Sequence, residues 1–340
     1  MAANPIVDQL ARPMRDLRIS VTDRCNFRCA YCMPKEFFGD DYAFMPKEKL
    51  LSWEEITRLA GLYATLGIRK IRLTGGEPLL RRGLPELIRM LSSIRGIDDI
   101  GCTTNGLLLG QQAQNLYDAG LRRINVSLDA LDPDLFGRIN GRGVTSNTIL
   151  RNIDLASEIG LQVKINMVVQ KDVNEQEILP MADYFKKRGI TLCFIEFMDA
   201  GNANGWSLKK VVTKKEIWER LGGADALVPV QPRYPGEVAK RFRYKDKDGQ
   251  AEVGIISSVS EAFCSSCTRV RLSSDGKIYT CLFASKGFDL RALLRGGASD
   301  EELLAAIRKT WEQRGDRYSE KRTEHTAKNL KKIGMSYIGG

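Results

Sequence analysis

The sequence predicts an α/β protein in which residues 1–205 form a parallel β-sheet with helices packed outside it. Two observations support this fold class. Short apolar strand patterns alternate six times with amphipathic helix patterns, and polar and glycine residues follow the strand ends. Such a repeat gives either an open doubly wound sheet or a partial barrel, and both architectures collect functional residues at the carboxyl edge of the sheet.

Each predicted element has a local signal in the sequence. The predicted strands cover residues 16–22, 70–74, a segment ending at 103–104, 123–128, 162–169 and 191–198. The predicted helices cover residues 53–66, 84–94, 111–119, 147–159 and 175–187. The first helix is the best defined, because Ser52 and Glu55 form a capping-box pattern before it and Gly67 follows it.

The alternating pattern ends near residue 205. The following segment contains prolines and glycines, a probable strand at 251–257 and an amphipathic helix at 301–313, capped by Ser299 or Asp300. We therefore predict two parts, residues 1–205 and a smaller part, residues 206–340.

Composition indicates a soluble globular protein: 43% of the 340 residues are hydrophobic. Residues 1–15 contain no apolar signal region and no apolar run is long enough to cross a bilayer, so we expect a cytoplasmic protein with no membrane partner. The net charge of +10 is scattered among acidic residues, which favours solvated surfaces over nucleic-acid binding. A smaller polyphosphate substrate would use the same basic residues, and composition alone does not separate these alternatives.

Three cysteines lie within eight residues after the first predicted strand. This first cysteine group consists of Cys25, Cys29 and Cys32. Three thiolates can hold three irons of a cuboidal iron–sulfur cluster and leave the fourth iron open for a ligand. The alternative is half of a structural zinc site, which would require a fourth Cys or His nearby, and His325 is the only histidine in the chain.

A second cysteine group follows the pattern C-x2-C-x13-C and consists of Cys264, Cys267 and Cys281. A zinc site here would be one ligand short unless Cys102 or Cys193 joined it, so a second cluster with its own open iron is the better interpretation. At a period of two residues, Arg269 and Arg271 would share one face of a strand, where two guanidiniums suit phosphate oxygens.

A glycine pair follows the second predicted strand in the sequence Gly75-Gly76-Glu77-Pro78. Glycines at this position let the backbone approach a ligand, and Glu77 can accept a hydrogen bond from an ammonium group. Taken alone, the pattern fits a plain loop equally well.

The first cysteine group, with its C-x3-C-x2-C spacing, and the Gly-Gly-Glu-Pro segment together resemble the radical S-adenosylmethionine (SAM) superfamily. The resemblance implies that SAM binds the open iron and is cleaved to a 5′-deoxyadenosyl radical. The residues that match its SAM contacts are Tyr31, Gly76, Glu77, Ser127 and Met198.

Three further features narrow the resemblance: Arg12-Pro13 with Arg18 before the first cysteine group, the Arg-Val-Arg insert of the second, and the terminal Gly-Gly pair. They resemble the MoaA family, the GTP 3′,8-cyclases of molybdenum cofactor biosynthesis. This implies a partial (βα)6 TIM-like barrel with a C-terminal part, two [4Fe-4S] clusters, and GTP between them. The matching GTP contacts are Arg18, Arg72, Thr103, Lys164, Arg269, Val270 and Arg271. The matching residues that support catalysis are Arg18, Arg269, Arg271, Gly339 and Gly340.

The resemblance also implies a reductant protein and the next pathway enzyme as functional partners, and it leaves a homodimer open. One departure concerns Cys193, because relatives can carry a basic residue there. Two alternatives remain: another radical SAM enzyme with an auxiliary cluster, such as a peptide-modifying one, and a zinc-bearing nucleic-acid-binding module.

Overall fold

The computed structural model describes residues 6–246 and 251–339. Its central feature is a run of six parallel strands in sequence order. The strands are β1 (Asp16–Ser20), β2 (Lys70–Thr74), β3 (Asp99–Thr104), β4 (Arg123–Ser127), β5 (Gln162–Val169) and β6 (Thr191–Glu196). Each strand hydrogen-bonds to the next in parallel register.

Helices connect these strands, as the six alternations predicted. They are α1 (Trp53–Thr65), α2 (Leu84–Ser92), α3 (Leu109–Asp118), α4 (Pro133–Asn140), α5 (Ser146–Glu158) and α6 (Ile178–Lys187). The predicted capping box of α1 forms: Ser52 accepts from the Glu55 backbone, and the Glu55 carboxylate accepts from the Ser52 backbone. The helices bury apolar faces against the strands, and these side chains form one extended hydrophobic core.

The rest of the chain adds shorter elements. The helices are α7 (Lys214–Arg220), α8 (Gly223–Ala226), α9 (Leu290–Arg295), α10 (Asp300–Glu312), α11 (Tyr318–Lys321), α12 (Glu324–Asn329) and α13 (Met335–Ile338). The strands are β7 (Leu227–Val230), β8 (Lys240–Tyr244), β9 (Glu252–Ile256), β10 (Arg269–Leu272), β11 (Lys277–Tyr279) and β12 (Phe288–Asp289).

These later strands extend both ends of the same sheet. Its order is β12-β11-β10-β1-β2-β3-β4-β5-β6-β9-β8-β7, with β10 parallel to β1 and β9 parallel to β6. The parallel strands form the predicted partial barrel. Two strands from the C-terminal part flank it, because β10 pairs with β1 and β9 pairs with β6. Whether a domain boundary lies near residue 205 stays a prediction. None of the helices in the described residues has the length and hydrophobicity needed to cross a membrane.

The structure differs from the sequence prediction in a few elements. Helix α4 had no predicted counterpart, although Asp132 caps it, proline occupies its first turn, and Gly141 ends it in the left-handed conformation. The predicted helix at 175–187 begins instead with a separate 3-10 turn, Glu175–Glu177. Strands β7, β8, β11 and β12 were also not predicted, because they are short and lie toward the edges of the sheet.

Candidate active site

The barrel encloses a cavity of about 730 Å³, and both cysteine groups line it. The first group follows the carboxyl end of β1. The second group lies at the opposite end of the neighbouring strand β10, because Cys267 precedes Arg269 and β10 runs parallel to β1. A five-residue strand is about 16 Å long. The two groups therefore face the same cavity from opposite ends of this strand pair.

Arg28 stabilises the backbone of the loop that carries the first cysteine group. This buried guanidinium donates to the backbone carbonyls of Cys25 at 2.7 Å, Phe27 at 2.8 Å and Phe38 at 2.6 Å. Gly141 packs against the Arg28 carbonyl, where a Cβ would approach within 2.5 Å. These contacts hold the backbone of the loop in place.

The first group has the chemistry of a cluster site. Burial, followed by the Glu77 carboxylate, raises the pKa of Cys25 to about 11. Burial, then Cys25, raises the pKa of Cys32 to about 12, and burial, Asp129 and the two other thiols raise that of Cys29. The thiols therefore lie close enough to repel one another as thiolates, and a cationic iron core would relieve that repulsion.

No three His, Cys, Asp or Glu side chains converge on a single metal ion within residues 6–246 and 251–339. A [4Fe-4S] cluster uses one cysteine per iron, so its ligands surround a larger core than a single ion does. The three cavity-lining thiols of the first group fit that arrangement.

The Gly75-Gly76 turn is shaped by the protein itself. A Cβ on Gly75 would lie 2.4 Å from the Thr22 carbonyl oxygen, and one on Gly76 would lie 2.3 Å from that of Arg24. The Gly76 amide also donates to Thr22 at 2.8 Å. Glycine is therefore required at both positions so that the turn after β2 can pack against the backbone of Thr22 and Arg24, just before the cysteine loop. The sequence alone did not reveal this reason.

Glu77 is 1% exposed and accepts three hydrogen bonds through its carboxylate. The donors are Thr104 Oγ1 at 2.7 Å and the amides of Asn105 at 2.8 Å and Leu79 at 3.1 Å. Burial outweighs these bonds and raises the pKa of Glu77 to about 7. The carboxylate lines the cavity in a fixed orientation, where it could meet a cation.

The other predicted SAM contacts also line the cavity: Tyr31, Gly76, Ser127 and Met198. The Tyr31 hydroxyl donates to Asp129 Oδ2 at 2.8 Å. The Asn204 amide donates to the carbonyls of Met198 at 2.9 Å and Tyr31 at 3.4 Å, and so it links the two segments. Their roles toward SAM stay predictions.

The second cysteine group is assembled by a hairpin. Cys264 and Cys267 flank one 3-10 turn, and Cys281 follows β11, which runs antiparallel to β10 and returns to the same end. Burial opposes ionisation of Cys267, but the guanidiniums of Arg269 and Arg314 outweigh it and lower its pKa to about 6. Burial, then Asp316, raises the pKa of Cys281 to about 11.

Four guanidiniums form an arginine cluster on the cavity wall between the two cysteine groups: Arg18, Arg72, Arg269 and Arg271. Arg18 pairs in register with Arg72 on one side and Arg271 on the other. Burial, then the neighbouring arginines, lowers the pKa of Arg271 to about 9, and burial followed by Arg269 lowers that of Arg18 to about 10. Such crowding of like charges is unfavourable unless an anion joins them.

Gly101 makes room for this cluster. It lies opposite Arg72 on β3, and a Cβ there would approach Arg72 Nη1 within 2.8 Å. That nitrogen is buried and has no hydrogen-bond partner within the described residues. An incoming oxygen anion would provide one.

A second polar row crosses the sheet beside the arginine cluster. Thr103 and Lys164 both lie in register with Asn125 and line the cavity. Cys102 and Cys193 are fully buried, as predicted for small hydrophobic residues, and do not line the cavity. Lys164 lies near Cys193 and partly offsets the burial that raises its pKa.

Val270 and the C-terminal glycines are the remaining residues predicted for the site. Val270 is 1% exposed and packs in the hydrophobic core, so a contact with GTP would have to involve its backbone. The Gly339 carbonyl accepts from Arg271 Nε at 3.3 Å, which brings the end of the chain to the arginine cluster. Gly340 lies outside the described residues.

Some cavity residues were missed in the sequence. Asp129 is 3% exposed, and its carboxylate accepts hydrogen bonds from the Tyr31 hydroxyl and the Val168 amide. The Asn105 side-chain nitrogen lies 3.9 Å from Cys25 Sγ. Both follow the end of a strand, and this position was the available signal.

Comparisons with known proteins agree with this geometry. A family model described as Radical SAM superfamily matches residues 19–185, and one described as Molybdenum Cofactor Synthesis C matches residues 190–320. A GTP 3′,8-cyclase of Staphylococcus epidermidis is 60% identical over 338 residues, covering 98% of this chain and 99% of its own. The cyclases of Staphylococcus haemolyticus and Staphylococcus aureus are 58% and 57% identical with the same coverage.

The chain belongs to the GTP 3′,8-cyclase family. Membership in the radical SAM superfamily implies SAM and a [4Fe-4S] cluster as cofactors. A solved structure of Streptococcus suis SuiB bound to the precursor peptide SuiA has a TM-score of 0.59 at 16% identity and covers 89% of this chain and 65% of that one. This likeness shows the shared fold alone. The predictions of family and partial-barrel fold are confirmed.

Proposed function

We propose that this protein converts GTP to (8S)-3′,8-cyclo-7,8-dihydroguanosine 5′-triphosphate, the first step of molybdopterin biosynthesis, as a lyase of the radical SAM type. The observation that carries the proposal is the arginine cluster, which lies between two cysteine groups in one cavity. The relatives named GTP 3′,8-cyclase, at 57–60% identity, favour this function over the peptide-modifying and zinc-module alternatives.

The first cysteine group would hold a [4Fe-4S] cluster with one open iron for SAM. With SAM bound there, its reductive cleavage would supply the 5′-deoxyadenosyl radical that removes the hydrogen from ribose C3′. Once C3′ bonds to C8 of the guanine, one electron from the reductant and one proton would complete the 7,8-dihydro product. The side chains would exclude water and orient SAM: Tyr31 would shield the thiols, Glu77 would accept from the amino group, Ser127 would contact the carboxylate or ribose, and Met198 would pack on the adenine. A primary radical attacks most C–H bonds, so its selectivity depends on this positioning.

The arginine cluster would bind the triphosphate. Arg72 Nη1 is buried without a hydrogen-bond partner within the described residues, and bidentate guanidinium pairing matches phosphate geometry. Lys164 and Thr103 extend this surface along the neighbouring strands. The second cysteine group would hold a second [4Fe-4S] cluster whose open iron receives the guanine.

The tail contributes from the end of the chain. We infer that Gly339 and Gly340 support catalysis, because the Gly339 carbonyl accepts a hydrogen bond from Arg271, which lines the cavity. We also propose a separate reductant protein as electron donor, the next pathway enzyme as the consumer of the product, and a division of the chain into residues 1–205 and 206–340. A homodimer is compatible with this proposal.

The test is anaerobic incubation of the purified protein with SAM, a reductant and each nucleoside triphosphate in turn, followed by mass analysis of the products. GTP alone should give a cyclised product with GTP's own mass, separable from GTP, together with 5′-deoxyadenosine. No nucleotide product despite full cluster loading, or a cyclised product from another nucleoside triphosphate and none from GTP, would overturn the proposal.

A further inference from the structure

Two buried arginines from distant parts of the chain contact the backbone of the second cysteine group. Arg12 Nη1 donates to the Cys264 carbonyl at 2.7 Å, and Arg314 Nη1 donates to the Cys267 carbonyl at 2.8 Å. The side chains of both arginines are 2% exposed. Neither residue belongs to the arginine cluster that faces the triphosphate.

One carboxylate joins these arginines. Asp8 Oδ2 accepts from Arg12 Nε at 2.6 Å and from Arg314 Nη1 at 3.1 Å, and its side chain is fully buried. Trp311 Nε1 donates to the Arg12 carbonyl at 3.1 Å and so fastens the N-terminal segment to α10. We call these three charged residues the Asp8–Arg12–Arg314 network.

The network also reaches the third cysteine. Asp316 is paired with Arg314 Nε at 3.6 Å, and its backbone carbonyl accepts from Arg12 at 2.8 Å. Its carboxylate accepts from Thr280 Oγ1 at 2.5 Å, and Thr280 directly precedes Cys281. All three cysteine positions are thus linked to the Asp8–Arg12–Arg314 network, the third through Asp316, whose side chain is 34% exposed.

We propose that Arg12 and Arg314 are positioning residues that hold the second cysteine group in the geometry needed to bind its cluster. This inference rests on the proposed function, because that function assigns a cluster to these cysteines. A hydrogen bond to the carbonyl of a cysteine fixes the adjoining peptide plane and restricts the direction of its Cβ–Sγ bond. Groups that orient metal ligands in this way typically contribute about 10- to 100-fold to metal affinity.

The tight arrangement explains why arginine is required. Arg12 binds Asp8 through Nε and the Cys264 carbonyl through Nη1, whereas Arg314 binds both Asp8 and the Cys267 carbonyl through Nη1 and pairs with Asp316 through Nε. In each case the planar guanidinium uses two nitrogens at once. Lysine would keep the ion pair with Asp8, but its single ammonium could not maintain all of these contacts in the same geometry. We therefore expect Arg→Lys variants to fold and to hold the cluster less firmly.

The experiment uses the full chain with the first cysteine group changed to serine, so that the second group alone carries iron, about four atoms per chain. Into it are placed Arg12→Lys, Arg314→Lys and Arg314→Gln. The control is Arg322→Gln, which removes an equally buried partner of Asp199 with no contact to a cysteine carbonyl. The rate of iron loss to a chelator and the electron paramagnetic resonance spectrum of the reduced cluster are recorded.

Iron loss should be about tenfold faster in Arg314→Gln and intermediate in the lysine variants, with a changed spectrum, while the control matches the parent. A second readout needs no cluster: in cluster-free protein, amide hydrogens of residues 264–268 should exchange faster in these variants than in the control. Unchanged iron retention and exchange, or equal effects in Arg322→Gln, would overturn the inference. A parent that binds no iron would instead contradict the second cluster, and the exchange measurement would then decide the positioning role alone.

Discussion

Replacing Gly339 by alanine should displace the C-terminal tail from its contact with Arg271 and slow cyclisation without unfolding the protein. Gly339 has φ +74°, and a Cβ there would lie 1.9 Å from Thr74 Oγ1. The Gly339 backbone, with φ +74° and ψ 132°, lies in a region that costs alanine about 1–3 kcal/mol. That cost lowers the equilibrium constant for tail docking about 5- to 150-fold, and the overlap with Thr74 lowers it further. Product formation should therefore fall at least about tenfold.

The assay compares product formation at saturating GTP with iron content, GTP affinity and melting temperature. The matched control is Gly297→Ala, because Gly297 has φ +86° but open space around its Cβ position. The control should lose a few degrees of melting temperature and keep its turnover, whereas Gly339→Ala should show the reverse. Changing Thr74 to alanine as well removes the Oγ1 overlap and should restore part of the lost activity. Wild-type turnover by Gly339→Ala would refute the role of the tail.

Three further predictions concern the cavity. Changing any cysteine of the first group to serine should abolish SAM cleavage, whereas the same change in the second group should spare some cleavage and stop cyclisation; equal loss in both folded sets would contradict this division. Arg269→Ala or Arg271→Ala should weaken the binding free energy of GTP by about 1.5–3 kcal/mol more than that of guanosine, since only GTP carries the phosphates. Titration calorimetry measures both affinities, and equal weakening of the two ligands would place these arginines elsewhere. Gly101→Ala should displace the Arg72 guanidinium, which is the flexible end of its side chain, and so weaken GTP binding about 10- to 100-fold with little loss of stability. The control is Gly61→Ala, whose added Cβ meets no atom within 4 Å. A GTP affinity equal to that of the control would count against an Arg72 contact.

The sequence predicted most of the barrel because its elements have local causes. The bounds of β2 and β5 are those predicted, since apolar runs between turn residues define both. The capping-box pattern before α1 and the predicted cap at Ser299 or Asp300 before α10 likewise located those helices. The short strands β11 and β12 lack such signals and form because β10 offers an open edge to a returning chain.

The site residues were predicted by position and motif, but their physical environment was not. Nothing local indicates that Gly76 packs against the Arg24 carbonyl or that Gly101 leaves space for Arg72. The contact between Arg314 and Cys267 joins segments 47 residues apart, and Arg12 reaches Cys264 across 252 residues. Such contacts depend on the register of β1 and β10, which pattern analysis of either strand alone does not determine.

The most direct test of the proposed reaction follows the hydrogen at ribose C3′. GTP carrying deuterium only at C3′ is incubated anaerobically with the protein, SAM and reductant, and the 5′-deoxyadenosine is analysed by mass spectrometry. The account predicts that one deuterium appears in 5′-deoxyadenosine and is absent from C3′ of the cyclised product. Unlabelled 5′-deoxyadenosine together with a cyclised product would contradict abstraction at C3′.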